Sequence, residues 1–244
     1  MVENNLDGKL ILITGAARRI GKIFALSCAR HGADIIIHHG HSEQEAQSVK
    51  EEIQSMGRRA EILQADLNDP DQVPELIEQS TKLGRVFGLV NSAAIFKPLS
   101  PADTTFKEWE LHLNINLTAP FLLSQGFAGN VNKNESARII NILDWRALRP
   151  TSEHFPYTIT KAALAMMTKT LALAFAPNIL VNGLALGAVL PPSEGKPHPD
   201  LLKSIPAGRW ATQEEIESAL LFLLTGPGYI TGEIIHVDGG RHLI

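Results

Sequence analysis

Seven short apolar runs recur along the chain, at residues 10–13, 35–37, 62–63, 86–90, 139–143, 179–181 and 234–237, with stretches of helical period between them. The runs have strand length and are rich in Ile, Val and Leu, as strands buried on both faces must be. Ile20, Ile23, Phe24, Ser27 and Cys28 fall on one helix face. Ala46, Val49, Ile53 and Met56 fall on a second, and Val73, Leu76 and Ile77 on a third. Strand and helix alternating in this way call for right-handed crossovers. The fold class is therefore α/β, a doubly wound parallel sheet of about seven strands with helices on both faces.

No repeat, low-complexity tract or linker divides the 244 residues, so the expectation is a single domain over 1–244. With 44% hydrophobic residues the chain can fill a core, yet no apolar run approaches the roughly 20 residues of a membrane helix. The first residues lack the basic start and apolar centre of a signal peptide. Cys28 is the only cysteine, which excludes an intrachain disulfide. A cytoplasmic enzyme is expected, with no membrane partner. The net charge of −4 argues against an extended nucleic-acid-binding face. Residues 190–199 carry four prolines and no apolar period. They read as part of a substrate loop at about 187–206, a lid over a ligand.

The first run leads into Thr14-Gly15-Ala16-Ala17-Arg18-Arg19-Ile20-Gly21 and then into a helix. Glycines at a strand-to-helix turn let the backbone approach a pyrophosphate, which sits on the helix N-terminus. This is the Rossmann-type arrangement. NAD-preferring folds place an acid after the second strand to hold the ribose 2′-OH. Here that strand ends in His38-His39-Gly40-His41-Ser42. Together with Arg18 this suits a 2′-phosphate and points to NADPH. No metal is expected at these histidines, because carboxylate or cysteine ligands would have to join them.

Tyr157 and Lys161 lie four apart at the start of a long helical stretch, so both face one way. A cation beside a phenol favours phenolate and brings tyrosine toward proton-donor duty near neutral pH.

With these motifs the chain resembles the short-chain dehydrogenase/reductases over essentially its whole length. The likeness rests on the Thr14–Gly21 turn, Asp66-Leu67, Asn91-Ser92-Ala93-Ala94, Asn116, Tyr157 with Lys161, and Val181-Asn182-Gly183. Tyr229-Ile230-Thr231-Gly232 and Val237-Asp238-Gly239-Gly240 complete it. The resemblance implies hydride transfer from nicotinamide, with Tyr157 relaying a proton, Lys161 tuning it and Asn116 holding a water in the relay. It implies cofactor contacts at Gly15, Arg18, Arg19, Ile20, His39, His41, Ser42, Asp66, Leu67, Asn91, Ser92, Ala93, Tyr157, Lys161, Gly187 and Val189. A homotetramer packed through two long helices, 105–127 and 157–175, is the family's usual assembly. The small residues Ala172, Ala174 and Ala176 are consistent with close helix approach.

Two departures from the general family pattern carry the substrate argument. Asp144 stands 13 residues before Tyr157, where most members have serine, and Arg19 replaces the middle glycine of the turn. Both are similar to the pteridine reductase branch. That resemblance implies a pterin or folate substrate held by Arg19, Phe96, Asp144 and Tyr157, with Phe96 stacking the ring. Ala94 and His41 depart from the branch, which often has serine and arginine there. Ketone reduction builds negative charge on oxygen, which an ionised Asp144 at ~4 Å would oppose by up to about 4 kcal/mol at an effective dielectric near 20. Reduction of C=N must deliver a proton to nitrogen, and there a carboxylate helps. The alternatives are that Asp144 merely caps a helix or turn, that Phe96 is a core residue or a loop anchor, that Arg19 serves only the cofactor, and that the enzyme reduces 3-oxoacyl or small ketone substrates. A non-catalytic nucleotide sensor is a third reading, against which the intact Tyr157, Lys161 and Asn116 argue.

Overall fold

The computed structural model describes residues 5–190 and 201–244. Seven parallel strands form one sheet in the order β3-β2-β1-β4-β5-β6-β7. They are β1 (Leu10–Ile13), β2 (Asp34–His39), β3 (Ala60–Gln64), β4 (Val86–Asn91), β5 (Ala137–Asp144), β6 (Ile179–Leu186) and β7 (Ile234–Val237). Period-2 alternation within the runs supplies two cores. Ile11, Ile13, Ile35 and Ile37 pack into one layer, against α1 (Arg19–Arg30), α2 (Glu43–Ser55) and α7 (Gln213–Thr225). Leu10, Leu12 and Ile36 point the other way, against α3 (Gln72–Lys82), α5 (Ala119–Gly129) and α6 (Phe155–Phe175). This is the doubly wound parallel sheet expected from the alternation.

The strand order reverses between β1 and β4, and in open α/β sheets that switch point leaves a crevice at the carboxyl ends of the strands. Thr14, His39, Asn91, Asp144 and Gly187 all lie at those ends. Thr14 fastens the crevice. Its hydroxyl oxygen accepts from the N–H groups of Ser92 and Ala93, both at 3.0 Å, and so ties the glycine turn to the end of β4.

Two elements differ from the expectation. β2 runs two residues past the 35–37 apolar run, through His38 and His39, whose side chains are buried. The 105–127 stretch is not one helix. It divides into α4 (Phe106–Leu113), a π-turn at Asn114–Thr118 and α5. Pro120 in the first turn of α5 has no N–H to continue a regular ladder across the junction. Such π-turns recur at functional sites, and this one contains Asn116. Of the expected lid, residues 191–200 lie outside the described residues. Among those described, no helix is long and apolar enough to cross a membrane.

Candidate active site

The glycine turn is shaped by positions where a side chain cannot fit. A Cβ on Gly21 would lie 2.1 Å from the Gly15 carbonyl oxygen, and one on Gly15 would meet the Ala93 Cα at 3.0 Å. Gly15 also adopts φ +65°. Arg19 takes φ +51°, a left-handed backbone that costs a non-glycine residue about 1–2 kcal/mol. Where most family members have glycine, this chain keeps the glycine-like backbone and carries a guanidinium on it.

His38 does a different job from the one its place in the sequence implies. Its ring Nδ1 accepts from the Gly15 N–H at 3.2 Å, and its Nε2 faces the Ala65 carbonyl at 3.1 Å, so Nε2 carries the proton. Its own carbonyl accepts from the Ala16 N–H at 3.0 Å. One residue thus joins the glycine turn to the ends of β2 and β3. Burial pushes its pKa down to about 4, and burial lowers that of His39 as well. Neither supplies positive charge at neutral pH. Of the three histidines only His41 is exposed, at the start of α2 beside Ser42. Arg18 leans across to the same helix end and pairs with Glu45 at 3.5 Å in solvent.

Asp66 sits at the end of β3, where its carboxylate accepts from the Asn68 N–H at 2.9 Å and fixes the turn beside buried Leu67. Asn91 is buried and donates to Asn141 Oδ1 at 2.8 Å, linking β4 to β5. Gly187 follows β6 at a point where a Cβ would fall 2.6 Å from the Asp238 Cα. Val189 packs on the first core, and Ile20 is half-buried at the start of α1.

At the other end of the crevice the Tyr157 hydroxyl donates to Asp144 Oδ2 at 3.2 Å. The second carboxylate oxygen, Oδ1, accepts from the Arg146 N–H at 2.8 Å and pairs with the Arg146 guanidinium at 3.3 Å. Asp144 therefore does cap the short turn Trp145–Ala147, and it also faces Tyr157. Lys161 is buried, 5.7 Å from the centre of the Tyr157 ring, and its Nζ donates to the Ile142 carbonyl at 2.6 Å. Burial brings the Lys161 pKa down to about 8. Tyr157 moves opposite to the expectation that Lys161 lowers it. Burial first, and then the Asp144 carboxylate, hold its proton on well above the ordinary tyrosine range. The phenol oxygen is turned to an anion rather than to the ammonium.

The Asn116 side chain is fully engaged. It accepts from the Ile95 N–H at 2.9 Å and donates to the Ile95 carbonyl and to Thr160 Oγ1. It thereby fixes the loop that presents Phe96. Phe96 is about half exposed, not a core residue. Its ring stacks on His154 at 3.7 Å and meets the Tyr157 ring edge-on at 4.7 Å. His154 and Arg19 are the two described non-glycine residues with positive φ, and both lie at this crevice. Backbone strain of this kind gathers at functional sites. Arg146 and His154 escaped the sequence reading, which singled out Asp144, Tyr157 and Phe96 but not the groups packed around them.

A profile for the family described as Enoyl-(Acyl carrier protein) reductase matches residues 15–242. The chain belongs to the short-chain dehydrogenase/reductase family. Among its relatives within that family, the 3-oxoacyl-[acyl-carrier-protein] reductase of a Synechocystis species is 32% identical over 240 residues, 96% of this chain and 97% of that protein. Two solved structures are similar throughout. FolM alternative dihydrofolate reductase 1 from Brucella suis, in complex with NADP, superposes with a TM-score of 0.89 at 31% identity, covering 97% of this chain and 96% of that one. A blue fluorescent protein from a metagenomic library, in complex with NADPH, gives 0.90 at 33% identity, covering 97% and 99%. This short-chain dehydrogenase/reductase is thus an oxidoreductase by family.

Proposed function

We propose that this chain is an NADPH-dependent reductase of pteridines, acting on the C=N bond of a dihydropterin or dihydrofolate. The observation that carries the reading is the hydrogen bond from Tyr157 to Asp144. A phenol that spends its proton on a carboxylate is poorly placed to donate to a ketone oxygen, and the same carboxylate repels the oxyanion that ketone reduction forms. A C=N nitrogen has the opposite need, and the Tyr157–Asp144 pair can move a proton toward it. The likeness to a dihydrofolate reductase structure supports this reading.

The cofactor fits the first half of the crevice. Gly15 and Gly21 leave the cradle free of Cβ atoms, and α1 presents its N-terminus there. The buried Nδ1 of His39 has no hydrogen-bond partner, a polar atom in want of a ligand. Arg18, Arg19, His41 and Ser42 would hold the phosphates, Asp66 and Leu67 the adenine, and Ser92, Ala93, Tyr157, Lys161, Gly187 and Val189 the nicotinamide half. When bound, NADPH supplies the hydride. The neighbours crystallised with NADP or NADPH support that choice. In this reading Lys161 holds positive charge behind Tyr157, and Asn116 and Thr160 fix the tyrosine's helix against the Phe96 loop. Phe96 supplies a flat apolar face for the pteridine ring.

The rival reading, reduction of 3-oxoacyl or small ketone substrates, is favoured by relatives such as the Synechocystis enzyme. Purified protein with NADPH separates the two when dihydrobiopterin, dihydromonapterin and dihydrofolate are assayed beside an acetoacetyl thioester. Turnover confined to the pteridines is the expected result. Turnover confined to the thioester would overturn the proposal. A homotetramer is proposed as well. Ile159, Met166 and Leu173, each seven apart, form an exposed apolar stripe on α6, and Phe121 is exposed on α5.

A further inference from the structure

Two guanidinium groups converge beside the catalytic carboxylate. The Arg146 guanidinium carbon lies 4.8 Å from the centre of the Trp145 ring and 5.6 Å from that of Phe96. The Arg241 guanidinium carbon, arriving from the C-terminal segment after β7, lies 4.3 Å from the same Trp145 ring. Trp145 is itself buried, so it serves as a rigid plate that fixes where both cations sit. Only one of the two is held in a direct ion pair. Arg146 pairs with Asp144, while Arg241 forms no ion pair with any described residue.

The buried Nε of Arg146 also lacks a partner. Asp144, Glu153 and Asp238 all act electrostatically on Arg241, yet none pairs with it directly, so the two guanidinium groups leave N–H donors unused beside Asp144. A planar fork of donors is the geometry that matches a carboxylate or phosphate.

We infer that Arg241, with the free edge of Arg146, forms an anion-binding subsite for the non-reacting end of the substrate, so that the preferred pteridine carries a carboxylate tail. This rests on the pteridine reading and deepens it. A tail ending in hydroxyl groups gains little from a second guanidinium, whereas an acidic tail gains a charge-assisted pair. Arg241 is a specificity residue and takes no part in the proton relay.

The test compares dihydrofolate, whose tail is anionic, with dihydrobiopterin, whose tail is neutral, on wild type and on Arg241→Met and Arg241→Lys. Methionine keeps an apolar chain against Trp145 without the charge. Arg241→Met is expected to raise KM for dihydrofolate about tenfold, the scale of one charge-assisted contact, and to leave kcat near its original value. Its kcat/KM for dihydrobiopterin stays within about twofold of wild type, and Arg241→Lys retains part of the dihydrofolate preference. Equal losses for both substrates, or no loss for either, would overturn the subsite. An unchanged melting temperature shows that the variant is folded.

Absence of all pteridine turnover in wild type would be a failure of the pteridine reading itself. The same variants, compared on acetoacetyl-CoA against neutral ethyl acetoacetate, then decide the subsite separately. Selective loss with the anionic substrate supports it, and equal loss overturns it.

Discussion

The Tyr157 hydroxyl and the Asp144 carboxylate form a donor–acceptor pair 3.2 Å apart at the end of β5, and this pair organises the chemistry available to the site. Burial and the carboxylate both keep the tyrosine protonated, so a hydroxyl rather than a phenolate stands ready through the working pH range. Arg146 holds the other carboxylate oxygen and prevents Asp144 from swinging away.

The alkaline side of the activity profile should belong to Lys161. Its pKa is brought down to about 8 by burial, while that of Tyr157 is moved up. Charged Lys161 is present below about pH 8 and is lost above it, so kcat/KM is expected to fall tenfold per pH unit beyond that point. A steady-state pH profile checks this, and activity that stays level to pH 10 would contradict it.

Arg19 trades backbone comfort for a charge at the glycine turn. Arg19→Gly relieves the left-handed strain and is expected to leave stability unchanged or raise it by up to about 1 kcal/mol. The same variant weakens NADPH binding by tenfold or more, through loss of a guanidinium at the phosphates. Chemical denaturation and a nucleotide fluorescence titration read the two effects separately.

The histidines at the end of β2 should divide by burial. His38 has a folded-state pKa near 4 against about 6.5 for a free imidazole. Between these values the unfolded chain binds the proton and the folded chain does not, so stability falls as pH drops from 6.5 to 4, by roughly 3 kcal/mol in total. His38→Phe is expected to flatten that acid limb and to weaken NADPH binding, because Gly15 loses its acceptor. His41→Arg, which places a permanent guanidinium on the exposed turn, is expected to strengthen NADPH binding. Urea melts across pH, together with nucleotide titrations, measure both.

The layered fold was legible because β-branched runs alternate with amphipathic stretches, and each strand's odd and even residues feed opposite cores. Strand ends were less so. That β2 ends in His38 and His39 was readable, but not that His38 is buried and satisfied by the Gly15 N–H and the Ala65 carbonyl. The break at Asn114–Thr118 hid inside a continuous apolar pattern, with Pro120 as its one local sign. At the site, Tyr157 and Lys161 were readable from helical spacing, and Asp144 and Arg19 from their departure from the family pattern. The direction of the Tyr157 shift was not, since it comes from burial of the phenol and from the Asp144 carboxylate 3.2 Å away. His154 and Arg241 meet Phe96 and Trp145 only in the folded chain, and Arg146, two residues after Asp144, falls in no spacing motif.

The central claim is that the carboxylate beside Tyr157 selects C=N over C=O, and Asp144→Ser tests it most directly. The measurement is the ratio of kcat/KM for dihydrobiopterin to that for an acetoacetyl thioester, in wild type and variant, at saturating NADPH. Serine frees the Tyr157 hydroxyl and removes up to about 4 kcal/mol of repulsion from a developing oxyanion. The ratio is therefore expected to fall by at least a hundredfold, through both loss of pterin turnover and gain of thioester turnover. A ratio unchanged by the substitution would mean that Asp144 only caps the Trp145–Ala147 turn, and would contradict the account.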